Sequence, residues 1–428
     1  MRDYDNYKLH SLKNNLEYIT VNIPDSTEFC IYILVNTGSI HENSAHQGIS
    51  HLLEHMLYRT TDEFRRDNEL YDAIYKNGAD YNGFTNKTET GYYFTVYHKK
   101  YKNILEILGN MIYKSRLEEK YIDMEREIVI GEIKRDSDSP FNILNEFMDE
   151  NRFSAENPYK NPIAGNRVTL DTIDKKILME YYKTNYRPDN MKCVVVGKIP
   201  KSIHRDMEKY LGYKTKVANN LSSSCDCSCS KSTQTTINRN TNIFYKYMDT
   251  EQVYISFSFL IFGRDNPQKN MLGVINMYVD NTLKKVIREK YGLSYNISCY
   301  YTLYSDFGLY DITVDVDKKN VKKTVKLILE ILYTIKSKYI KKKKLNTIKE
   351  HIKNTTLIQH TPMNIAHLYV YELLHRNGTE SINTPSKYIE IDQSITCENI
   401  KTLANIVFDM KTLHICILGK NKHKITIK

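Results

Sequence analysis

Hydrophobic and polar residues follow two periods along this chain, and each period predicts one kind of element. Apolar or alternating runs between turn residues predict strands, and apolar residues recurring every three or four positions predict amphipathic helices. In the first half, strands are predicted at 17–23, 29–36, 80–86, 91–97 and 192–197, and helices at 47–59, 66–77, 101–113, 119–136, 141–153 and 171–184. This interleaving indicates an α+β fold in which helices cover a mixed sheet.

The second half of the chain repeats the order of patterns of the first half after about 220 residues, which indicates a diverged duplication. The strand-like run Phe29–Val35 before Gly38 matches Val253–Phe259 before Gly263. Further matches pair the helical run 101–113 with 321–333, and the segment 169–197 with 394–419. We therefore expect two domains of like fold.

Residues 217–242 lie between the two halves and are rich in Ser, Thr, Asn and Cys, which is typical of a linker. A chain of 428 residues is also too long for one ordinary core. We therefore predict an N-terminal domain at 1–216 and a C-terminal domain at 243–428.

Seven of the eight cysteines fall into two groups with different expected roles. A cluster inside the linker permits a soft-metal clip, although a polar low-complexity linker is the favoured interpretation; it contains Cys225, Cys227 and Cys229. Four others lie in strand-like apolar runs and are predicted to be buried small hydrophobic residues; they are Cys30, Cys193, Cys299 and Cys416.

The sequence His51-Leu52-Leu53-Glu54-His55 carries the candidate chemistry of the first half. Histidines four residues apart on a helix project from one face, where two imidazoles can bind one Zn²⁺. The neighbouring Glu54 carboxylate can then activate a water molecule. This order is the inverzincin arrangement. The alternative is an amphipathic helix whose polar face carries these residues by chance; its apolar stripe contains Ile49, Leu52, Leu53, Met56 and Leu57.

The predicted helix at 119–136 carries two acidic residues that could reach the same site. Glu125 and Glu132 are seven residues apart, so they lie near one face after two turns. A solvated, ion-paired helix face is the alternative interpretation, because Lys and Arg residues flank both positions.

Together these residues resemble the pitrilysin family of zinc peptidases. That family, which includes insulysin, the mitochondrial processing peptidases and small two-domain bacterial proteases, has a His-x-x-Glu-His motif and a distal pair of Glu residues. Here Glu132 lies 77 residues after His55. The stretch Asn82-Gly83-Phe84-Thr85 resembles the family's Asn-Ala-Tyr/Phe-Thr strand. Residues 288–295 match its Arg-Glu-Lys-x-Gly-Leu-x-Tyr motif.

The resemblance implies one Zn²⁺ per chain, held by His51, His55 and Glu132. It implies that Glu54 is the general base and that Glu125 is a nearby carboxylate that orients the site.

The same resemblance assigns the remaining contacts of the site. Four residues of one strand would bind an extended peptide, and two residues of the second domain would contact the substrate or the oxyanion. They are Asn82, Gly83, Phe84 and Thr85 in the first domain, and Arg288 and Tyr295 in the second.

The implied fold is a half-clamshell of two α+β domains, each a mixed, largely antiparallel sheet covered by helices, of which only the first binds metal. In two-domain members of the family a partner subunit completes the chamber. We therefore expect a homodimer, or a heterodimer with a related subunit, acting on peptides or unfolded proteins.

Composition and charge indicate which partners and which cellular location to expect. The net charge of +10 is spread along the chain, and no nucleic-acid-binding motif is present. No apolar run approaches the ~20 residues that span a bilayer, and the N-terminus lacks an apolar signal segment. We expect a cytoplasmic or otherwise non-secreted protein. The abundance of Lys, Asn, Ile and Tyr, with no Trp, is typical of an AT-rich genome such as that of a virus, parasite or endosymbiont, and a viral or organellar context stays open.

The sequence thus predicts a zinc-dependent endopeptidase that hydrolyses extended or unfolded peptides. Two alternatives remain open. One is an inert family member that acts as a scaffold or assembly subunit, and the other is a dedicated processing protease for one viral or organellar precursor.

Overall fold

A computed structural model of the chain describes residues 3–212, 237, 242–376, 378 and 381–420. These residues form two compact units, one from residues within 1–135, 161–234 and 359–386, and the other from 136–160, 235–358 and 387–428. The cysteine cluster of the predicted linker lies outside the described residues. Of that linker, Ile237 and Asn242 are described, and Asn242 begins a strand.

The described residues form eleven strands and fourteen α-helices. The strands are β1 (Tyr7–Ser11), β2 (Glu17–Asn22), β3 (Glu28–Val35), β4 (Asp80–Thr85), β5 (Thr90–Tyr97), β6 (Met191–Gly197), β7 (Asn242–Lys246), β8 (Gln252–Phe262), β9 (Ile297–Leu303), β10 (Phe307–Asp317) and β11 (His414–Leu418). The helices are α1 (Ile49–Leu57), α2 (Glu69–Lys76), α3 (Tyr101–Tyr113), α4 (Glu119–Ser137), α5 (Pro140–Arg152), α6 (Arg167–Asp171), α7 (Lys175–Asn185), α8 (Ile203–Leu211), α9 (Leu272–Leu283), α10 (Val321–Ser337), α11 (Lys342–Ile358), α12 (Pro362–Leu374), α13 (Pro385–Ser394) and α14 (Cys397–Val407).

Each unit is built on one sheet, and the two sheets share a topology except that the first has β1 as an additional edge strand. In the first unit the strand order is β1-β2-β6-β3-β5-β4, and in the second it is β7-β11-β8-β10-β9. One pair is parallel in each sheet, β2 with β6 and β7 with β11, and the other pairs are antiparallel. The predicted fold class, two mixed and largely antiparallel sheets packed with helices, is therefore confirmed.

Both faces of the first sheet are buried under helices. On one face the side chains of α1, α3 and α4 form the larger core with alternate residues of β3 and β5. On the other face α12 packs on β3 and β6, where Ile365, Tyr369 and Val370 cover Tyr32 and Val194.

In the second unit, helix α5 covers the sheet face that corresponds to the face covered by α12 in the first unit. This helix packs on β8 and β11, the strands that occupy the places of β3 and β6. Leu144 and Met148 bury their side chains against Cys416 and Leu418. The compact units therefore cross the predicted boundaries, because α5 belongs by sequence to the first half and α12 to the second. A metal-binding domain at 1–216 and a substrate-binding domain at 243–428 stay predictions.

Most predicted elements of the first half occur, with local differences that have clear causes. The helix predicted at 171–184 occurs as α7 and begins only at Lys175, because the side chain of Asp174 caps its start by accepting from the Ile177 amide; the short helix α6 precedes it. Strand β1 and helix α8 were not predicted. All four cysteines expected inside the cores are buried. None of the helices in the described ranges is long and apolar enough to cross a bilayer.

A buried ion pair fixes the end of α5 in the second unit. The guanidinium of Arg152 donates to Asp311 Oδ1 at 3.2 Å and to Asp149 Oδ1 at 2.5 Å. Only 12% of the Arg152 side chain and 3% of the Asp311 side chain are exposed. Removing one partner would leave a carboxylate buried without its counter-charge.

We predict that Arg152→Met lowers the free energy of unfolding by about 3–5 kcal/mol, measured by urea or thermal denaturation. The matched control is Arg167→Met, because Arg167 pairs with Glu127 where 48% and 61% of the two side chains are exposed. That change should cost about 0–1 kcal/mol. Equal losses in the two variants would contradict the assignment.

Candidate metal site

The polar stripe of helix α1 faces away from the core because its apolar stripe is buried in the core. All five residues of that stripe are buried, namely Ile49, Leu52, Leu53, Met56 and Leu57. The opposite stripe carries His51, Glu54 and His55. The helix therefore cannot rotate without exposing apolar surface, and this fixes the direction of the polar side chains.

The start of α1 is fixed by a glycine and a carboxylate. Gly48 has a φ of +93°, and a Cβ there would lie 2.5 Å from the carbonyl oxygen of Ala164. Both oxygens of Glu42 accept hydrogen bonds from the first turn, from the Gly48 amide at 2.8 Å and the Ser50 amide at 2.9 Å. Ser50 precedes His51, so these contacts set the position of the first histidine.

Helix α4 brings Glu132 to the two imidazoles of α1. Oε2 of Glu132 lies 3.6 Å from His51 Nε2 and 3.7 Å from His55 Nε2. Ligand atoms around one tetrahedral zinc ion lie roughly 3.4 Å apart, because each bond is about 2.1 Å long. Two nitrogens and one carboxylate oxygen at these separations fit such an ion and leave a fourth position for water.

No second group of this kind occurs among the residues that the structure describes. His51, His55 and Glu132 are the one set of three or more His, Cys, Asp or Glu residues whose ligand atoms all lie within 4.8 Å of one another. Within the described ranges, this set on α1 and α4 is therefore the candidate metal site.

The carboxylate of Glu125 contacts His55 at the ring nitrogen that does not face Glu132. His55 Nδ1 lies 3.0 Å from Glu125 Oε2, and Arg59 Nε donates to Glu125 Oε1. An Nδ1–H that donates to a carboxylate leaves Nε2 as the free lone pair, which here faces Glu132. Glu125 thus selects the tautomer that a metal at this place requires.

Burial and charge set the protonation of the histidines. Burial, together with the neighbouring His55, lowers the pKa of His51 to about 4, so His51 is neutral at pH 7. Burial alone would lower the pKa of His55, but the hydrogen bond to Glu125 and the surrounding carboxylates raise it above the usual value. The carboxylates therefore favour the protonated form of His55, and His55 must lose a proton before it can bind a metal ion.

Glu54 lies on the same stripe but makes different contacts. Its side chain is buried, and this burial raises its pKa to about 7 despite the opposing effects of His55 and of the Thr85 hydroxyl. Thr85 Oγ1 donates to Glu54 Oε2 at 2.9 Å. A carboxyl with a pKa near neutrality can both accept and return a proton at pH 7.

The predicted substrate strand is β4, which lies at the edge of the first sheet. Its backbone pairs with β5 on one side, and on the other side no strand of the described residues pairs with it. An edge strand of this kind accepts an extended peptide. Gly83 faces Glu54, whereas the ring of Phe84 packs against Tyr32 at a centroid distance of 6.3 Å.

A cavity of about 320 Å³ opens beside these residues in the first unit. Glu54, His55 and Gly83 contribute to its wall, and four tyrosines complete much of its lining. The tyrosines are Tyr58, Tyr71, Tyr81 and Tyr121. The metal-ligand face is therefore next to a space that could hold a peptide side chain.

The two site residues predicted in the second half lie together in the second unit. Arg288 is part of a π-helical segment, Lys284–Lys290, and its guanidinium carbon is 4.6 Å from the centre of the Tyr295 ring. The Tyr295 side chain is largely exposed, at 72%. Their contact with substrate or oxyanion stays a prediction.

Three contributing residues were not found by sequence reasoning. Arg59 follows His55 by four positions, so helical spacing could have indicated that it reaches the same side. Glu42 and Ser50 act through contacts at the helix start, and Ser50 Oγ also hydrogen-bonds Tyr181 Oη at 2.7 Å. A capping carboxylate seven residues before the first residue of the helix has no local signal in the sequence.

Comparison with known proteins identifies the family. Residues 17–167 match the family described as Insulinase (Peptidase family M16), and residues 172–352 match the Peptidase M16 inactive domain. The chain belongs to peptidase family M16. His51, His55 and Glu132 all lie in the first matched segment.

Individual relatives extend the comparison over nearly the whole chain. A zinc protease of Bacillus subtilis is 25% identical over 410 residues, covering 94% of this chain and 95% of its own. The mitochondrial-processing peptidase subunit beta of Caenorhabditis elegans is 29% identical over 204 residues, covering 47% of this chain and 44% of its own. A protease from Helicobacter pylori shares the fold with a TM-score of 0.86 at 17% identity, covering 97% of this chain and 99% of its own.

We predict that Glu125→Gln weakens zinc binding by about 10-fold to 100-fold, because the imidazole of His55 loses the charge that orients it and raises its basicity. The measurement is a competition titration of the metal-free protein against a chromophoric zinc chelator.

Glu127→Gln is the matched control on the same helix, because Glu127 is exposed and pairs with Arg167. It should bind zinc as the unchanged protein does. An affinity of Glu125→Gln equal to that of this control would show that Glu125 does not support the site.

Proposed function

We propose that this chain is a zinc-dependent endopeptidase that hydrolyses extended or unfolded peptides. The observation that carries the proposal is the convergence of His51, His55 and Glu132 beside the carboxylate of Glu54. Membership of peptidase family M16 supports the same activity, because bacterial relatives of this chain are named zinc proteases.

In the proposed mechanism His51, His55 and Glu132 hold the ion, and Glu125 keeps His55 in the tautomer that can bind it. The chemistry that Zn²⁺ supplies when bound is to acidify a water molecule and to polarise the scissile carbonyl. The open edge of β4 would pair with the peptide and hold it extended beside α1.

Glu54 moves the proton in this mechanism. Its carboxylate takes a proton from the attacking water and later gives that proton to the leaving amine. Only 7% of Glu54 is exposed, so its contact with water is limited to the adjacent cavity. Arg288 and Tyr295 remain proposed contacts to the substrate or the oxyanion, on the strength of the motif at 288–295.

A dimer stays part of the proposal. The motif that resembles the family's substrate-contacting Arg and Tyr lies on the same chain as the metal ligands, so a second copy or a related subunit would complete the chamber. Light scattering at the concentration of the assay tests this point. A fully active monomer would contradict it.

We predict that Glu54→Gln lowers kcat by about 10²-fold to 10⁴-fold, since the amide cannot accept the proton. The assay is cleavage of an unstructured, internally quenched fluorescent peptide by protein loaded with one equivalent of zinc. Bound zinc, measured by elemental analysis, should remain unchanged because Glu54 is not a proposed ligand.

Glu63→Gln serves as the control, because Glu63 is exposed and lies outside the site. It should cleave at the original rate. Full activity in Glu54→Gln would contradict the mechanism. An original protein that neither retains zinc nor cleaves the peptide would favour the scaffold alternative.

A further inference from the structure

Strand β4 touches the proposed general base with side chains as well as offering its backbone to a peptide. Side chains alternate along a strand, so Gly83 and Thr85 share one face and Asn82 and Phe84 share the other. The face of Gly83 and Thr85 is directed to α1, where both residues contact Glu54. Phe84 packs instead with Tyr32, in the cluster that α12 covers.

The two oxygens of the Glu54 carboxylate have different surroundings. Oε2 accepts the hydrogen bond of the Thr85 hydroxyl at 2.9 Å. Oε1 lies against Gly83, where a Cβ would come within 2.6 Å of it. Glu54 and Gly83 both line the open cavity beside the metal-ligand face. One oxygen is thus held by a donor, while the other lies beside a residue that has no side chain.

The backbone that carries the Thr85 hydroxyl is held by the hairpin between β4 and β5. Thr85 is the last residue of β4 and pairs with Thr90 across the hairpin to β5. The connecting turn is closed by the Asn86 amide, which donates to the Glu89 carbonyl at 2.8 Å. Because the Thr85 hydroxyl donates from this hairpin, it fixes the rotation of the Glu54 carboxylate about the last side-chain bond. Without such a hydrogen bond, that torsion angle has a broad distribution.

We infer that Thr85 is a positioning residue for Glu54. Its hydroxyl fixes Oε2 and so leaves Oε1 to exchange the proton with the attacking water. The inference rests on the proposed peptidase function and assigns Thr85 a role other than the predicted substrate contact. It also places the peptide-binding backbone and the support of the base on one strand, so a shift of β4 would move both together.

The test compares Thr85→Val, which keeps the shape and removes the hydroxyl, with Thr85→Ser, which keeps the hydroxyl. The hydrogen bond to a charged carboxylate is lost in the first variant, so kcat should fall by about 10-fold to 100-fold. KM and the zinc content should not change, and Thr85→Ser should restore most of kcat. The substrate is the same quenched peptide.

Thr20→Val is the matched control for the loss of a buried threonine hydrogen bond. Thr20 pairs with His10 at 3.0 Å on β2, which three strands separate from β4. This variant should keep the original kcat and KM.

Several outcomes would overturn the inference while the proposed function stands. One is a raised KM with an unchanged kcat in Thr85→Val, which would make Thr85 a substrate contact. Another is an unchanged kcat in both Thr85→Val and Thr85→Ser. If Thr85→Val fails to fold or to hold zinc, Thr85→Ala is measured in its place, and an original kcat there also overturns it. Absence of cleavage by the original protein would instead remove the proposed function, and this inference with it.

Discussion

The candidate site depends on one carboxylate that joins two helices. Glu125 lies on α4, is almost fully buried, and binds both His55 and Arg59 at the end of α1. Because α4 is a regular helix, fixing Glu125 also fixes Glu132 two turns later, where its oxygen meets both imidazoles. A buried carboxylate is stable only with such partners. The same interaction that satisfies Glu125 therefore sets the distance between α1 and α4.

The shared topology of the two sheets shows how one architecture carries different chemistry in its two halves. Helix α9 occupies in the second unit the place that α1 has in the first, after the second sheet's counterpart of β3. The sequence of α9 reads LGVINMYVDNTL and lacks the His-x-x-Glu-His order. Both helices bury an apolar stripe in the core of their unit, and in α1 the opposite stripe carries His51, Glu54 and His55.

Local patterns predicted what depends on local physics. The periods of 3.6 and 2 residues in the apolar pattern located α1, α4 and β4. The helical pitch also indicated that Glu125 and Glu132, seven residues apart, lie near one face of α4. The patterns could not show which sheet a helix covers, so α5 and α12 were assigned to their own halves. They also could not show that the end of β4 returns to α1. The resemblance assigns Thr85 to substrate binding, and only the structure shows that its hydroxyl donates to Glu54.

The packing of α12 on the first sheet has a consequence for how the protein is made. Residues 362–374 cover Tyr32, Val194 and their apolar neighbours, and they follow the metal-ligand residues by more than half of the 428-residue chain. During synthesis from the N-terminus, that side of the sheet therefore stays uncovered until most of the polypeptide has emerged from the ribosome. The segment that bears the chemistry is consequently not a separable module, since cutting it from the rest would present a broad apolar surface to water.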